Sequence, residues 1–319
     1  MNRAFFAAAL CAFPCTSASA ALVRYEPFDH TPVGSTVEGK TNPDGETWVG
    51  AYSNATAPSL IKVASGSLAV PSAMPASFGN AAEIDGGPSS VATNPEAAGK
   101  ALRLPFASLG IAVNSGGTIY YSMALRIDEL TGATNTTGGF FVALNNSTTA
   151  TTTEPTAGAA RLQSRIDPND ATKYNLGIFR NVSATAAATS WSGPLTVGET
   201  VFIVASYEAV AGNQNDIARL WINPDSSTLG DGSFSPLTTP PTVVDNTTLT
   251  GTDIGIFSIL LRQSPAPHVT LDELRVGTTW ADVTPVPEPG AIASVGLAGL
   301  TLLGRRRRAS LETRLNPRG

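Results

Sequence analysis

The chain contains few of the residues that most often perform catalysis or bind transition metals. Its 319 residues include two cysteines and two histidines. Cys11 and Cys15 both lie in the first twenty residues, so the domain after them has neither a disulfide nor a thiolate ligand. His30 and His268 alone are too few to hold zinc or copper, and neither has the sequence context of a nucleophile elbow.

Basic residues are also scarce in this domain. Leaving out Arg3 and the six arginines after residue 304 leaves 13 of the 20 basic residues, and leaving out Glu288 and Glu312 leaves 23 of the 25 acidic ones. The domain therefore has a net charge near −10 and no basic run. This charge balance argues against nucleic acid as a partner.

The first twenty residues have the three parts of a secretory signal peptide. Arg3 is followed by an apolar stretch, and small residues occupy Ala18 and Ala20, the two positions that signal peptidase inspects. The sequence thus predicts a signal-peptide helix over residues 1–20, cleavage after Ala20 and export by the Sec route.

Residues 21–284 are predicted to form one all-β domain. Thr118–Ile127 alternates apolar and polar residues with period two over ten positions, and no long stretch before the tail has an amphipathic helical repeat. Clusters of Gly, Asn, Thr, Ser and Pro separate the runs that resemble strands. The other predicted strands are Gly139–Asn145, Ala160–Ile166, Tyr174–Arg180, Val201–Val210, Ile217–Ile222, Asp253–Leu261 and Val269–Val276.

Two local patterns give more detail. Val201–Val210 and Ile217–Ile222 flank a turn-rich segment, which predicts an antiparallel hairpin. In Val269–Val276 the apolar phase slips by one residue across Asp272 and Glu273. Either a β-bulge keeps both halves of the strand facing the core, or the strand ends there with two solvated acids.

The order of these segments, and above all the closing stretch Leu271–Trp280, resembles the concanavalin A-like (laminin G-like) jelly rolls of bacterial surface proteins. The resemblance covers about residues 100–284. It implies a β-sandwich of two packed antiparallel sheets, with Leu22–Phe28 pairing near the C-terminal strand. Such folds include lectins, glycosidases and spacers, so the resemblance implies no activity.

An enzyme is not expected. Laminarinase-type glycosidases carry two glutamates at Glu-x-Asp-x-x-Glu, whereas Glu83 and Asp85 are followed by Pro88 where the second glutamate would stand. The Gly-Gly-Pro sequence after Asp85 predicts a turn instead. We therefore assign no catalytic residue, and a glycoside hydrolase is the least favoured function.

Calcium is the one cofactor that the sequence leaves open. The oxygen-rich segments Asp167–Asp170 and Asn213–Asp216, and the pair Asp272 and Glu273, have the ligand types that calcium prefers, and laminin G-like sandwiches often bind it at a rim. The alternative is that these residues only form turns. Asp272 and Glu273 are the calcium candidates.

Aromatic side chains are the candidates for stacking on sugars, but they make up only 7% of the chain, and most of them adjoin apolar runs. Most are therefore expected in the core, and Trp191 is the one whose neighbours favour exposure more than those of the others. The five candidates are Trp48, Tyr52, Trp191, Trp221 and Trp280.

The tail combines three unlike features. Pro287, Glu288 and Pro289 precede an apolar stretch at residues 290–304 and an arginine cluster, Arg305, Arg306, Arg307 and Arg308. Residues 285–319 thus closely resemble the PEP-CTERM sorting signal of bacterial exported proteins, in which exosortase recognises Pro-Glu-Pro. The eleven residues after the arginines are more than this signal usually leaves.

The apolar stretch predicts a short transmembrane helix. Its fifteen residues reach about 22 Å as a helix, against about 30 Å of hydrocarbon, which suits a transient anchor. The arginines place the C-terminal side in the cytoplasm and the β-domain outside. A short linker at Ala281–Pro285 is expected before the motif.

These features predict an exported, non-enzymatic protein of the bacterial cell surface or extracellular matrix. Signal peptidase and exosortase are the expected processing partners, the membrane is contacted through the C-terminal helix, and exopolysaccharide is a further expected partner. The alternative is a lectin-like carbohydrate-binding module with calcium at its rim.

Overall fold

The computed structural model describes residues 22–52, 61–86, 101–106, 111–131, 133, 138–151, 158–180, 190–246, 253–263 and 267–287. The predicted signal peptide, Glu288, Pro289, the predicted membrane helix and the arginine cluster lie outside these residues. In the described part of the chain, no helix combines the length and apolar character needed to cross a membrane.

The described residues form fifteen strands, one turn of 3-10 helix at Ser226–Thr228 and one short helix, α1, at Trp280–Val283. The strands are β1 Leu22–Glu26, β2 Val49–Tyr52, β3 Ile61–Ala64, β4 Ala81–Ile84, β5 Ala101–Pro105, β6 Thr118–Glu129, β7 Gly139–Asn145, β8 Ala159–Ile166, β9 Lys173–Phe179, β10 Leu195–Thr196, β11 Thr200–Glu208, β12 Ile217–Ile222, β13 Val243–Asp245, β14 Ser258–Arg262 and β15 His268–Gly277. Each of the eight predicted strands has a counterpart, but the one predicted over Asp253–Leu261 begins only at Ser258.

The strands form two antiparallel sheets. The eight-stranded sheet has the order β13-β12-β11-β6-β15-β4-β3, and β1 also pairs with β15. The seven-stranded sheet has the order β10-β9-β8-β7-β14-β5-β2. The all-β prediction and its two antiparallel sheets are therefore confirmed.

The core lies between the sheets because the strands alternate. On β6, Ile119, Tyr121 and Leu125 are fully buried in a cluster that also contains Leu102 and Phe141 of the opposite sheet. The Tyr121 hydroxyl crosses the sandwich and donates to the Ala160 carbonyl at 2.7 Å. The period-two pattern of Thr118–Ile127 thus indicates correctly which of its residues face the core between the sheets.

The predicted hairpin and bulge are both confirmed. Strands β11 and β12 pair in antiparallel register from Ile203 opposite Ile222 to Glu208 opposite Ile217. The register of β15 on β6 shifts between Asp272 and Arg275. The alternative of two solvated acids at a strand end is wrong, because Asp272 and Glu273 are buried within β15.

The C-terminal strand has partners on both of its edges. Along one edge β15 pairs with β6, and along the other it pairs first with β4, at Val269–Leu271, and then with β1, at Leu274–Gly277. The implied pairing of the N-terminal segment with the C-terminal strand is thus present.

One local prediction is wrong. Residues 281–285 do not begin as a linker: α1 starts with a capping box of Thr279 and Asp282, and Val283 is fully buried. Packing of Val283 in the apolar cluster around Trp280 overrides a composition that favours a linker. Glu83 belongs to β4, which pairs with β3 and with β15, and the turn predicted after Asp85 continues into Gly87 and Pro88, outside the described residues.

A second apolar cluster packs on the outer face of the eight-stranded sheet, over β11 and β12. The Trp280 ring stacks on Phe234 at a centroid distance of 3.7 Å and meets Trp221 edge-on at 5.1 Å. Its Nε1 donates to the Thr228 carbonyl at 2.7 Å. The cluster therefore fixes α1 and the segment that follows β12 against the sheet.

We expect Trp280→Ala to lower the free energy of unfolding by about 3–5 kcal/mol, because it removes a buried ring and leaves the Thr228 carbonyl without its hydrogen-bond donor. Denaturant unfolding followed by circular dichroism measures this. Leu237, whose side chain is 94% exposed, provides the control: Leu237→Ala should change stability by no more than about 0.5 kcal/mol. Equal effects of the two substitutions would contradict the structural role of the cluster.

Candidate functional site

The two calcium candidates lie at the bulge of β15, between the stretches that pair with β4 and with β1. Asp272 Oδ2 accepts the Leu68 N–H at 2.9 Å, and Oδ1 accepts the Glu273 N–H at 2.7 Å. Burial raises the pKa of Asp272 to about 7. This carboxyl group therefore joins the bulge to the loop that follows β3.

Glu273 accepts hydrogen bonds on the other side of the bulge, where β15 pairs with β1. Its backbone has a φ of 54°, in the left-handed region, and its side chain is 1% exposed. The Tyr25 hydroxyl donates to it at 2.9 Å and the Arg275 guanidinium donates at 2.9 Å. Arg275 also lies 4.0 Å over the Tyr25 ring.

Protein donors thus occupy both carboxylates, and they join β1, β15 and the loop after β3. In the described part of the chain, no three His, Cys, Asp or Glu side chains are grouped as a metal centre. Calcium at Asp272 and Glu273 stays a prediction.

The pKa of Asp272 predicts a pH dependence of stability. The folded protein favours the protonated carboxyl, so stability is fully present below the unfolded pKa, near 4, and is lost as the pH rises through about 7. We expect the loss to be on the order of a few kcal/mol and Asp272→Asn to reduce it. Urea unfolding at a series of pH values measures the slope, and a slope unchanged by the substitution would contradict the assignment.

The eight-stranded sheet has a polar pocket of about 340 Å³ on its outer face. His268 Nε2 lies 2.9 Å from Glu83 Oε1, and Arg126 Nε lies 2.5 Å from Asp128 Oδ1. Thr270 donates to Asp128 Oδ2 at 2.6 Å. The ionisable side chains of this pocket therefore contact one another.

The outer face of the seven-stranded sheet carries arginine side chains that lie over aromatic rings. Arg161 and Arg262 place their guanidinium groups 4.5 and 4.4 Å from the centroid of the Phe140 ring. Arg165 lies 4.5 Å from the Trp191 ring in the same way. Arg103 of β5 lies opposite Leu260 of β14. We call the four arginines, Arg103, Arg161, Arg165 and Arg262, the arginine face.

Trp191 can lie flat on this face because two glycines are beneath it. A Cβ added at Gly177 would stand 2.8 Å from the indole, and one at Gly138 would stand 2.4 Å from it. Arg165 also donates from Nε to the Asn175 side chain at 3.1 Å, which fixes the guanidinium over the ring. The arrangement therefore presents guanidinium groups on aromatic supports.

The structure shows where the predicted aromatic candidates lie. Trp48, Trp221 and Trp280 are buried, whereas Trp191 is partly exposed, as the sequence indicates. The side chain of Tyr52 lies outside the described residues.

The arginine face is the feature that the sequence does not reveal. Its four arginines are spread over 160 positions, from 103 to 262, so no basic run appears. The available signal is partial: Arg103 and Arg161 each stand between apolar residues of a predicted or observed strand, as in Leu102-Arg103-Leu104, whereas Arg165 and Arg262 each have one polar neighbour.

Comparison with known proteins gives the following. No protein-family model matches the chain, and no curated protein matches it. Among solved structures it is similar to the globular domain of T. cruzi calreticulin, with 9% identity, a TM-score of 0.44, and coverage of 90% of this chain and 100% of that one.

Two further solved structures are similar. One is the carbohydrate recognition domain of Emp47p, with 9% identity, a TM-score of 0.37, and coverage of 77% and 94% of the two chains. The other is a carbohydrate esterase of the Shiga toxin-encoding bacteriophage phi24B, with 10% identity, a TM-score of 0.41, and coverage of 82% and 99%. Because all three scores are below 0.5, no functional conclusion is drawn from these likenesses.

Proposed function

We propose that this chain is an exported, non-enzymatic protein of the bacterial surface or matrix, whose concanavalin A-like sandwich binds acidic carbohydrate through its arginine face. The observation that carries the proposal is three guanidinium groups supported by aromatic rings: Arg161 and Arg262 at Phe140, and Arg165 at Trp191. A guanidinium group binds a carboxylate, sulfate or phosphate with two parallel hydrogen bonds.

The aromatic supports contribute to such binding. A guanidinium group resting on a ring is pre-positioned, so it loses less conformational entropy when it binds an anion than a free arginine does. Arg165 and Arg262 are partly exposed, whereas Arg103 is 1% exposed and donates to Ser147 Oγ at 2.6 Å. Arg165 and Arg262 are therefore the expected contacts to the ligand.

The charge of the whole domain supports one defined binding face. A net charge near −10 repels a polyanion from most of the surface, so an acidic glycan would bind where arginines are grouped. The polar pocket on the other sheet, by contrast, places the carboxylates of Glu83 and Asp128 beside His268 and Arg126.

Delivery is proposed from the sequence. Signal peptidase would cut after Ala20, and the tail helix would hold the domain at the membrane until exosortase acts near Pro287–Pro289. A stretch of about 22 Å suits such a temporary anchor. Export would bring the arginine face to the exopolysaccharide outside the cell.

Binding is tested with the full chain and a series of oligosaccharides. We expect polyuronate or sulfated oligosaccharides to bind and neutral ones of equal length not to bind, with Arg165→Ala and Arg262→Ala each weakening affinity about tenfold, because each removes a charge-assisted contact. Isothermal titration calorimetry measures the affinities, and raised salt should weaken them.

The matched control is Arg219→Ala, because Arg219 lies on the eight-stranded sheet and pairs with Glu208 at 2.7 Å. Thermal unfolding would show that each variant is folded. Binding that persists in both face variants, or that Arg219→Ala weakens equally, would refute the proposed face.

Processing is tested separately in cells. We expect Glu288→Ala to leave the full-length C-terminus on the protein, because the acidic residue of the Pro-Glu-Pro motif is lost. Mass spectrometry of the surface fraction detects the C-terminal peptide, and Glu312→Ala is the control beyond the arginine cluster. An unchanged cleavage product in the Glu288→Ala strain would argue against sorting by this motif.

A further inference from the structure

Two buried aspartates, which we call the carboxyl pair, come together where the β11–β12 hairpin meets the segment that leads to β14. Asp216, the last residue before β12, is 1% exposed, and Asp253 is 5% exposed. Asp216 Oδ2 accepts a hydrogen bond from the Tyr207 hydroxyl, and Asp253 Oδ2 accepts one from the Gln214 N–H at 2.8 Å. Each carboxyl group thus uses one oxygen for a neutral donor.

The second oxygen of each carboxyl group is buried, and no donor among the described residues reaches it. These atoms are Asp216 Oδ1 and Asp253 Oδ1, and the two side chains are within hydrogen-bonding reach of each other. Two ionised carboxylates at such a distance would repel each other, and burial would add the cost of desolvating both. One proton removes both penalties, because a protonated carboxyl group donates to an ionised one.

Arg180, the residue after β9, contributes a positive charge next to the carboxyl pair. Its guanidinium donates to the Gln214 carbonyl at 2.5 Å and to the Asp216 carbonyl at 3.3 Å, and its N–H donates to Asp245 Oδ2 of β13 at 2.9 Å. None of the ion pairs within the described ranges includes Asp216 or Asp253. Arg180 therefore binds the backbone of the turn and leaves the second carboxyl oxygens to each other.

The charged side chains of the two hairpin strands pair with each other, Glu208 of β11 with Arg219 of β12 at 2.7 Å. Burial, and the acceptor Asp216, raise the pKa of Tyr207, so its hydroxyl stays protonated and acts as a donor. Burial, and the neighbouring Asp253 carboxylate, raise the pKa of Asp216. The groups around the carboxyl pair thus favour the retention of one proton.

We propose that Asp216 and Asp253 share one proton in the folded protein, and that this proton links the hairpin turn to the segment before β14. The hydrogen bond would join the two oxygens that lack another donor. The hairpin belongs to the eight-stranded sheet, whereas β14 belongs to the seven-stranded sheet. The link therefore joins the two sheets at one end of the sandwich, and it is broken when the proton leaves to solvent.

The shared proton makes stability depend on pH. The unfolded chain releases this proton near pH 4, whereas the folded pair retains it, so the contribution is fully present below about pH 4 and falls as the pH rises, until the folded pair also ionises. Over that range the pair should raise the unfolding equilibrium constant about tenfold per pH unit. Asp272, whose pKa is raised to about 7, contributes with the same sign, so substitutions must separate the two effects.

Urea unfolding of the full chain between about pH 5 and 8 tests the link. Asp216→Asn and Asp253→Asn each supply a permanent amide donor in place of the proton. We expect either substitution to reduce the rise of the unfolding constant by a factor of about ten per pH unit, also in an Asp272→Asn background. Asp231→Asn is the control and should keep the parent slope, because Asp231 lies in an exposed turn where it binds Ser233. Equal slopes in the parent chain and in both pair variants would overturn the proposal.

Carbon-13 NMR of the parent chain, labelled at its aspartate carboxyl carbons, tests the proton directly and does not depend on whether a variant folds. We expect two carboxyl resonances that change together above about pH 5, and the Asp216→Asn spectrum should lack this joint titration. If no such pair of resonances exists, the carboxyl pair holds no proton and the proposal is wrong. The inference does not depend on the arginine face, so failure of either proposal leaves the other standing.

Discussion

Strand β15 connects three parts of the chain, and the carboxylates at its bulge make this connection. Along one edge it pairs with β6, and along the other it changes partner from β4 to β1. At the change of partner, Asp272 binds the loop after β3, and Glu273 binds Tyr25 of β1. The N-terminal strand, the C-terminal strand and the β3–β4 pair therefore depend on two buried acids.

The sequence predicts those features of the fold that depend on residues close together in the chain, and it misses those that depend on distant residues. Alternation within Thr118–Ile127 and the phase slip at Asp272 are local, so the strands and the bulge can be read directly from the pattern. Val283 lies in a segment whose composition favours a linker, and packing against the cluster around Trp280 overrides that composition. Propensity alone cannot predict such tertiary effects.

The arginine face follows the same rule. It joins residues from β5, β8 and β14, so it has no local spacing that a motif could capture. The sequence does indicate Trp191 as the exposed tryptophan, because polar and small residues surround it, but it cannot show that Arg165 lies over the ring.

The central claim is that the seven-stranded sheet presents its arginines to an acidic glycan. Hydrogen exchange followed by mass spectrometry, with and without a polyuronate, tests where the ligand lies. The account predicts slower exchange in peptides that cover Ala159–Ile166 and Ser258–Arg262, with no change in the segment after β12. Protection confined to the eight-stranded sheet, or no protection at saturating ligand, would contradict it.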